Sequence, residues 1–341
     1  MRIAIVYNPR PTGFDRTDPR LEKHIEGDEW KTIEAIGQAI MANSHSVKYF
    51  PIDENIYEML KASKPNLDLV FNLSEGISDG ADREAHIPMI CEILGLPYTG
   101  PGPLSAGLIL NKSRAKQIWR SCKVSTAPWQ LFVDSTITLN QDLHYPLIVK
   151  PNSEGSGIGI KSNSIVHDYL SLQLAVENIL TQYDSDALVE ELLPGREFTV
   201  ALIGNGDKLI TLPIVEINFN AFPKGAPSID SYEAKFVYGA TGQAEMLATE
   251  FCPAVLDLVT EAEINNLSKQ AFLSIGARDF ARVDLRMDAN GKVYVMEINH
   301  PPGLMSDPNE SSFFTIAGRA AGLTFAQMIG RILDSAITRL A

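Results

Sequence analysis

The stretch Arg282-Val-Asp-Leu-Arg-Met-Asp-Ala-Asn-Gly-Lys-Val-Tyr-Val-Met-Glu-Ile-Asn299 reads as two strands joined at Asn290-Gly291. Asn-Gly between alternating apolar residues is a strong type I′ hairpin signal. With those two residues at the tip, Asp284 lies opposite Glu297 and Arg282 opposite Asn299. Side chains two apart on a strand share a face, so these four project to one side. The other face carries Val283, Leu285, Met287, Tyr294, Met296 and Ile298, and is expected to be core. Two carboxylates facing each other repel, and a cation between them reverses the sign. Carboxylate and amide oxygens without a soft ligand suit Mg²⁺ or Mn²⁺. A second reading also fits: an amphipathic hairpin with a wet polar face, its acids neutralised by Arg282. A one-residue slip of register would break the first reading.

Composition bounds the rest. The chain has 341 residues, enough for about two or three domains. Hydrophobic residues are 45% and charged residues 21%, which excludes disorder, collagen and coiled coil as the main architecture. A net charge of −13 argues against binding a nucleic-acid backbone by bulk charge. Cys91, Cys122 and Cys252 are few, odd in number and far apart, which argues against zinc and a disulfide framework. The apolar run after Met1 is too short for a signal sequence. No apolar stretch reaches the roughly 18 residues of a membrane-spanning helix. A cytoplasmic protein without membrane or nucleic-acid partners is expected.

Residues 1–100 alternate strand and helix signals: strands at Ile3–Tyr7, Ser46–Phe50 and Leu67–Asn72, helices at Glu29–Met41, Ile56–Ala62 and Glu84–Leu94. Such alternation implies a Rossmann-like parallel sheet in an α/β domain. The Pro/Gly cluster Pro97–Pro103 marks a boundary. Beyond it, Leu104–Ser121 reads as one helix with Lys112 inside, Pro146–Lys150 as a strand, and His167–Leu180 as a helix. Ala187–Glu190, Glu197–Ile203 and Lys208–Ile217 read as strands, residues 218–245 as a long lid-like loop, and Glu261–Ile275 as a helix. Two helices close the chain. The boundaries expected are 1–100, 101–190 and 191–341.

The segment Ser153-Glu-Gly-Ser-Gly-Ile-Gly159 is a phosphate-loop candidate, because glycines let N–H groups approach an anion. It matches neither a Walker A nor a dinucleotide fingerprint, and Ile160-Lys161 after it reads as strand rather than helix. A glycine-rich hairpin lid over phosphates fits, and so does a plain flexible turn. Lys150 ends an apolar strand just before it, either as a snorkelling edge residue or as a phosphate contact.

Taken together these segments are familiar. Leu96-Pro-Tyr-Thr-Gly100, Leu110-Asn-Lys112, Ile148-Val-Lys-Pro151 with Glu154-Gly-Ser156, and Leu188-Val-Glu190 with Pro194-Gly-Arg-Glu-Phe-Thr-Val200 resemble the D-alanine–D-alanine ligase family. Ser231-Tyr-Glu-Ala-Lys235, Arg282-Val-Asp284, Glu297-Ile-Asn299 and Pro302-Gly303 complete the set, in the family's order from about residue 67 onward. The resemblance implies an ATP-grasp fold of two α+β subdomains following the N-terminal domain. It implies that Lys112, Lys150 and Lys235 contact ATP phosphates, with Lys150 also near the adenine, and that Glu190 accepts from the adenine amino group. Glu191 and Leu193 would form the hinge that reads the purine edge, and Glu197 would bind the ribose. Ser156 would sit in the glycine lid near the γ-phosphate and the substrate. Asp284, Glu297 and Asn299 would hold two Mg²⁺ or Mn²⁺ ions, while Arg282 and the Gly303 N–H would stabilise an oxyanion. A homodimer is expected on the resemblance alone.

The departures fall on the substrate side. Tyr7-Asn-Pro-Arg-Pro-Thr-Gly13 and a charged insert to Asp28 replace the family's glycine-rich turn with its glutamate. Leu73-Ser-Glu-Gly76 replaces its His-Gly, and Asp79-Gly-Ala-Asp-Arg-Glu84 is a denser run of charge than its Glu-Asp-Gly. Its tyrosine after the loop lysine is Phe236, its paired serines are Ser156-Gly157, and Asp307-Pro-Asn-Glu310 is inserted before Ser311-Ser312. Glu75, Asp79 and Glu84 are candidate partners of a substrate amine and Arg83 of a substrate carboxylate, with Ser312 a further substrate contact. A solvated loop at 79–84 is the alternative. The expected activity is ATP-dependent ligation of an amino acid to a small carboxylic or amino acid through an acyl phosphate. Genuine D-alanine ligation and a non-catalytic nucleotide-binding protein are the alternatives.

Overall fold

The computed structural model describes residues 1–11, 26–222, 224–232 and 250–340. Lys235 and Phe236, with most of the expected 218–245 loop, lie outside the described residues. The first unit is a parallel sheet of β1 (Arg2–Tyr7), β2 (Ser46–Pro51) and β3 (Leu69–Leu73) in the order β2-β1-β3, connected by α1 (Trp30–Ala42) and α2 (Ile56–Ser63). Ile3 to Tyr7 are all buried, as an apolar run at the centre of a parallel sheet requires. α3 (His86–Leu94) follows, and Tyr98 then bridges Val70.

The expected helix 104–121 is two: α4 (Pro103–Leu110) and α5 (Lys112–Ser121). Asn111 separates them, its extended backbone ending the first while its side-chain oxygen accepts the Arg114 N–H at 3.1 Å to cap the second. Lys112 therefore opens a helix rather than lying within one.

The second sheet is antiparallel: β4 (Trp129–Phe132), β5 (Leu147–Pro151), β6 (Ile165–Val166) and β7 (Ala187–Glu191) in the order β4-β7-β5-β6. β4 was not foreseen. α6 (Tyr169–Gln182), capped by Asp168, covers this sheet through Leu172, Val176 and Ile179. The expected strand at Ile160-Lys161 is absent; consecutive turns and a 3₁₀ turn at Ser162–Ser164 lead from the glycine segment into β6.

The third sheet holds β8 (Glu197–Ile203), β9 (Ile210–Thr211), β10 (Val215–Ile217), β11 (Glu250–Phe251), β12 (Phe280–Met287) and β13 (Val293–Asn299), ordered β11-β10-β8-β12-β13 with β9 on β8. The strand expected over 208–217 is thus split, with Pro213, which has no N–H for a ladder, between its halves. α7 (Leu258–Ser274) packs on β12 and β13, while α8 (Phe313–Ala320) and α9 (Phe325–Leu340) join the core of the first sheet. Buried Asp279 fixes this junction. Its carboxylate accepts from the Gly100 N–H (2.9 Å), Asn205 Nδ2 (2.8 Å) and Arg339 Nε and Nη2 (3.0 and 2.8 Å).

The hairpin departs from its expected path twice. Asp288 Oδ1 accepts the N–H groups of Asn290 (2.8 Å) and Lys292 (3.0 Å), and only Gly291 of the tip has positive φ (82°). A type I′ turn needs positive φ at both central residues, so the loop takes an extra residue instead. Met296 then forms a bulge: Asp284 pairs with Glu297, but Leu285 pairs with Val295. The two irregularities cancel at the polar end and leave Arg282 opposite Asn299. They do not cancel between. Val293 and Val295, not Tyr294 and Met296, are buried in the core.

Candidate active site

The site lies between the second and third sheets, and one junction of asparagines positions its first lysine. Asn152, just past β5, accepts the Lys112 N–H on its carbonyl (3.0 Å) and the Ser113 N–H on Oδ1 (2.9 Å), and donates through Nδ2 to Asn111 Oδ1 (3.0 Å). The start of α5 is thereby pinned to the start of the glycine segment. Lys112 Nζ donates to the Glu154 carbonyl and lies 3.5 Å from Glu297 Oε2.

One helical turn on, Lys116 points the same way, and the sequence reading missed it. The signal was present: residues four apart share a helix face. Lys116 Nζ lies 3.0 Å from Glu190 Oε1, and Lys150 Nζ 3.1 Å from Glu190 Oε2. All three side chains are buried. Burial alone would push the Glu190 carboxyl up, but the two lysines outweigh it and hold it below the usual carboxylate range. Burial lowers Lys116, whereas Glu190 and Glu297 outweigh burial at Lys150 and raise it.

A cleft of ≈ 80 Å³ lies beside this triad. Ile148, Ile158, Leu193 and Met296 give it apolar walls, and Lys112, Lys150, Glu197, Asp284 and Glu297 give it charge. The Leu193 N–H has no hydrogen-bond partner among the described residues, while the Glu191 N–H is taken by the Pro128 carbonyl at 3.1 Å. Glu191, which also lines the cleft, accepts the His144 backbone N–H on Oε1 (3.0 Å). Glu197 is gripped by Arg286 Nη1 at 2.8 Å.

In the glycine segment Ser156 and Gly157 both have positive φ (52° and 76°). Gly157 needs its lack of a side chain, because a Cβ there would stand 3.1 Å from the Tyr232 nitrogen. The N–H groups of Gly155, Ser156 and Gly157 have no partners among the described residues, and such bare successive N–H groups suit an anion.

On the hairpin, Asp284 is held bidentately by Arg282 (Nε 3.0 Å, Nη2 2.9 Å), by Asn299 Nδ2 (2.8 Å) and by the Thr199 hydroxyl. The donor set of two carboxylates and an amide on one face, all oxygen, fits a hard divalent cation. Each carboxylate presently faces a cationic side chain, Asp284 the guanidinium of Arg282 and Glu297 the ammonium of Lys112.

A second, larger cavity of ≈ 310 Å³ opens on the far side of Lys112. Glu75, Glu84, Ser156, Arg282, Gly303 and Ser312 line it. The Gly303 N–H has no partner among the described residues, and the Gly303 carbonyl accepts the Ser312 hydroxyl at 2.6 Å. Arg83, read as a partner for a substrate carboxylate, spends its guanidinium on Glu26 and Glu154 (both 3.0 Å) and on the Ser153 carbonyl (2.9 Å). Lys112, Glu154, Gly155 and Glu297 line both cavities and form the wall between them.

A lysine-lined cleft between two antiparallel sheets, with an acidic hairpin at its end, is the arrangement of an ATP-grasp protein. Residues 118–334 match the model of the D-ala D-ala ligase C-terminus, and the chain belongs to that family, the ATP-dependent carboxylate–amine ligases. It is similar to uncharacterized protein y4sG of Sinorhizobium fredii (strain NBRC 101917 / NGR234), 33% identical over 99% of this chain and 98% of that one. Its fold is similar to that of D-alanine–D-alanine ligase from Bacillus anthracis complexed with ATP (TM-score 0.71, 21% identity, 99% and 98% coverage). The VanG D-Ala:D-Ser ligase from Enterococcus faecalis is similar to the same degree (TM-score 0.71, 22% identity, 98% and 99% coverage). No helix among the described residues is long and apolar enough to cross a membrane.

Proposed function

We propose that this ligase joins an amino acid to a small carboxylic or amino acid through an acyl phosphate, and that its substrates are not a pair of D-alanines. The supporting observation is the common wall of Lys112, Glu154, Gly155 and Glu297, which sets a lysine-lined cleft and a separate acidic cavity back to back. In this reading the adenine lies among Ile148, Ile158, Leu193 and Met296, near the unpartnered Leu193 N–H. Glu197 stands at the ribose, and Glu190 orders Lys116 and Lys150 rather than meeting solvent. Lys112, Lys150 and the glycine N–H groups hold the outer phosphates, with Lys235 a further phosphate contact. Asp284, Glu297 and Asn299 would hold two Mg²⁺ or Mn²⁺ ions, which when bound neutralise charge on the outer phosphates.

An oxygen of the substrate carboxylate attacks the γ-phosphorus, the bond to the departing ADP breaks, and an acyl phosphate results. The amine nitrogen then attacks the acyl carbon. Arg282 and the Gly303 N–H, at the mouth of the larger cavity, take up the charge that develops on the carbonyl oxygen. The carbon–oxygen bond breaks, and phosphate leaves carrying the former carboxylate oxygen and the proton lost by the amine. The glycine segment excludes water from the acyl phosphate. An ATP-consuming reaction and three free cysteines suit the cytoplasm.

ADP release measured with D-alanine and with a panel of L-amino acids and amines tests the reading. Turnover with a pair other than two D-alanines is expected; robust turnover with D-alanine alone overturns the substrate assignment.

A further inference from the structure

The larger cavity holds more carboxyl groups than a neutral amino acid needs. Among the described residues, seven carboxylates line it against Arg10, Lys112 and Arg282. Each of those cations is already engaged: Arg282 with Asp284, Lys112 with Glu297 and the Glu154 carbonyl, and Arg10 with Glu29 at 2.6 Å. Arg83, behind the wall, is consumed by Glu26, Glu154 and a backbone carbonyl.

Glu84 is different. It is only 9% exposed, it lines the cavity, and its Oε2 has no hydrogen-bond partner among the described residues. Glu75 lines the same cavity, and the two carboxyls act on each other. Burial first, and then the charge of Glu26, push Glu84 up to about 8; burial, Glu26 and Glu84 together raise Glu75 well above the usual range. A buried carboxyl facing other carboxyls without a cation is costly, and a bound cation removes that cost. The cavity is too large for a bare ion at ≈ 310 Å³, and Ile36, Leu73, Ile109 and Met305 give it apolar walls. An organic cation fits both features.

We propose that this cavity selects a substrate bearing an ammonium group beyond those that react, a diamine or an amino acid with a basic side chain, seated on Glu84 and Glu75. The assignment rests on the ligase reading for which cavity receives substrate, and deepens it. The carboxylate or amine that reacts points toward Lys112 and Arg282. The extra ammonium meets Glu84 and Glu75, whose mutual repulsion and burial Arg83 and Lys112 only partly offset.

Calorimetry separates this from the ligase reading, because it needs no turnover. L-lysine, its neutral isostere L-norleucine and 1,5-diaminopentane are titrated into the full chain with magnesium and a non-hydrolysable ATP analogue, while ADP release is measured in parallel with ATP. L-lysine or the diamine is expected to bind at least about tenfold tighter than L-norleucine. Glu84→Gln, and independently Glu75→Gln, are expected to shrink that preference about tenfold or more while melting as cooperatively as the parent. Equal affinity for the charged and neutral ligands, no heat from either cation, or a preference unchanged in both variants overturns the proposal. Selective binding of a cation without ADP release from any pair leaves the cavity assignment standing and contradicts the ligation reading; ADP release with neutral substrates alone does the reverse.

Discussion

Arg282 and Asp284 lie two residues apart on one strand face and form a bidentate pair, Nε to Oδ1 at 3.0 Å and Nη2 to Oδ2 at 2.9 Å. The pair gives Asp284 a counter-charge in the ligand-free protein and keeps Arg282 at the edge of the larger cavity. Asp284→Asn removes a donor from the proposed metal set and leaves Arg282 without its carboxylate. It is expected to lower kcat by about a hundredfold or more. Steady-state ADP release at saturating ATP checks this; a kcat within about threefold of wild type contradicts it.

The buried triad of Lys116, Glu190 and Lys150 makes a stability prediction. Glu190→Gln leaves two buried ammonium groups without their shared carboxylate and is expected to cost about 3–5 kcal/mol. Urea unfolding at neutral pH measures it. A double change, Glu190→Gln with Lys116→Met, is expected to recover part of the loss, since one unpaired charge is removed with its partner.

The Met296 bulge separates two neighbouring positions. Val295→Asp puts a charge into the core of the third sheet and is expected to destabilise the fold by more than about 3 kcal/mol. Met296→Ala removes a wall of the smaller cleft, and is expected to leave the fold intact while raising the KM for ATP about five- to tenfold. An uninterrupted hairpin would reverse the two outcomes. Thermal melts and ATP titrations of both variants decide.

How far the sequence could be read follows from the same hairpin. Asp284 opposite Glu297 was legible from the two-residue period of strands and an Asn-Gly tip. The tip itself was misread, because the Asp288 side chain binds two loop N–H groups and selects a wider turn; the bulge at Met296 restores the register by tertiary fit. The order of sheets and helices was visible as alternating apolar periods. The break at Asn111 was not, since no proline interrupts Leu104–Ser121 and the junction is held by Asn152, forty-one residues away. Lys116 shares a helix face with Lys112, but its role shows only with Glu190 and Lys150 placed around it. The acidic cavity was partly legible in Glu75 and Glu84, but the engagement of Arg83 by Glu26 and Glu154 is long-range and leaves no local pattern.

The pH dependence of stability has a defined sign at Glu84. Its carboxyl titrates at 4.5 in the unfolded chain and at about 8 in the folded, ligand-free protein. The folded state therefore binds more protons between those values, and stability falls as pH rises through that window. Asp28, pushed up to about 7 by burial against the pull of Arg10, adds a loss in the same direction. Glu84→Gln removes its share and is expected to stabilise the ligand-free protein at pH 8, with no gain below pH 4.5. Melting curves across that range that run parallel for parent and variant contradict this account.

The most direct measurement follows oxygen. The amino acid or carboxylic acid that supports ADP release is prepared with ¹⁸O in its carboxylate, and the phosphate produced by the wild-type enzyme with magnesium is examined by mass spectrometry. An acyl phosphate formed beside Lys112 and the Asp284–Glu297 pair requires one ¹⁸O atom in each phosphate released. Unlabelled phosphate from a labelled, productively joined substrate contradicts it.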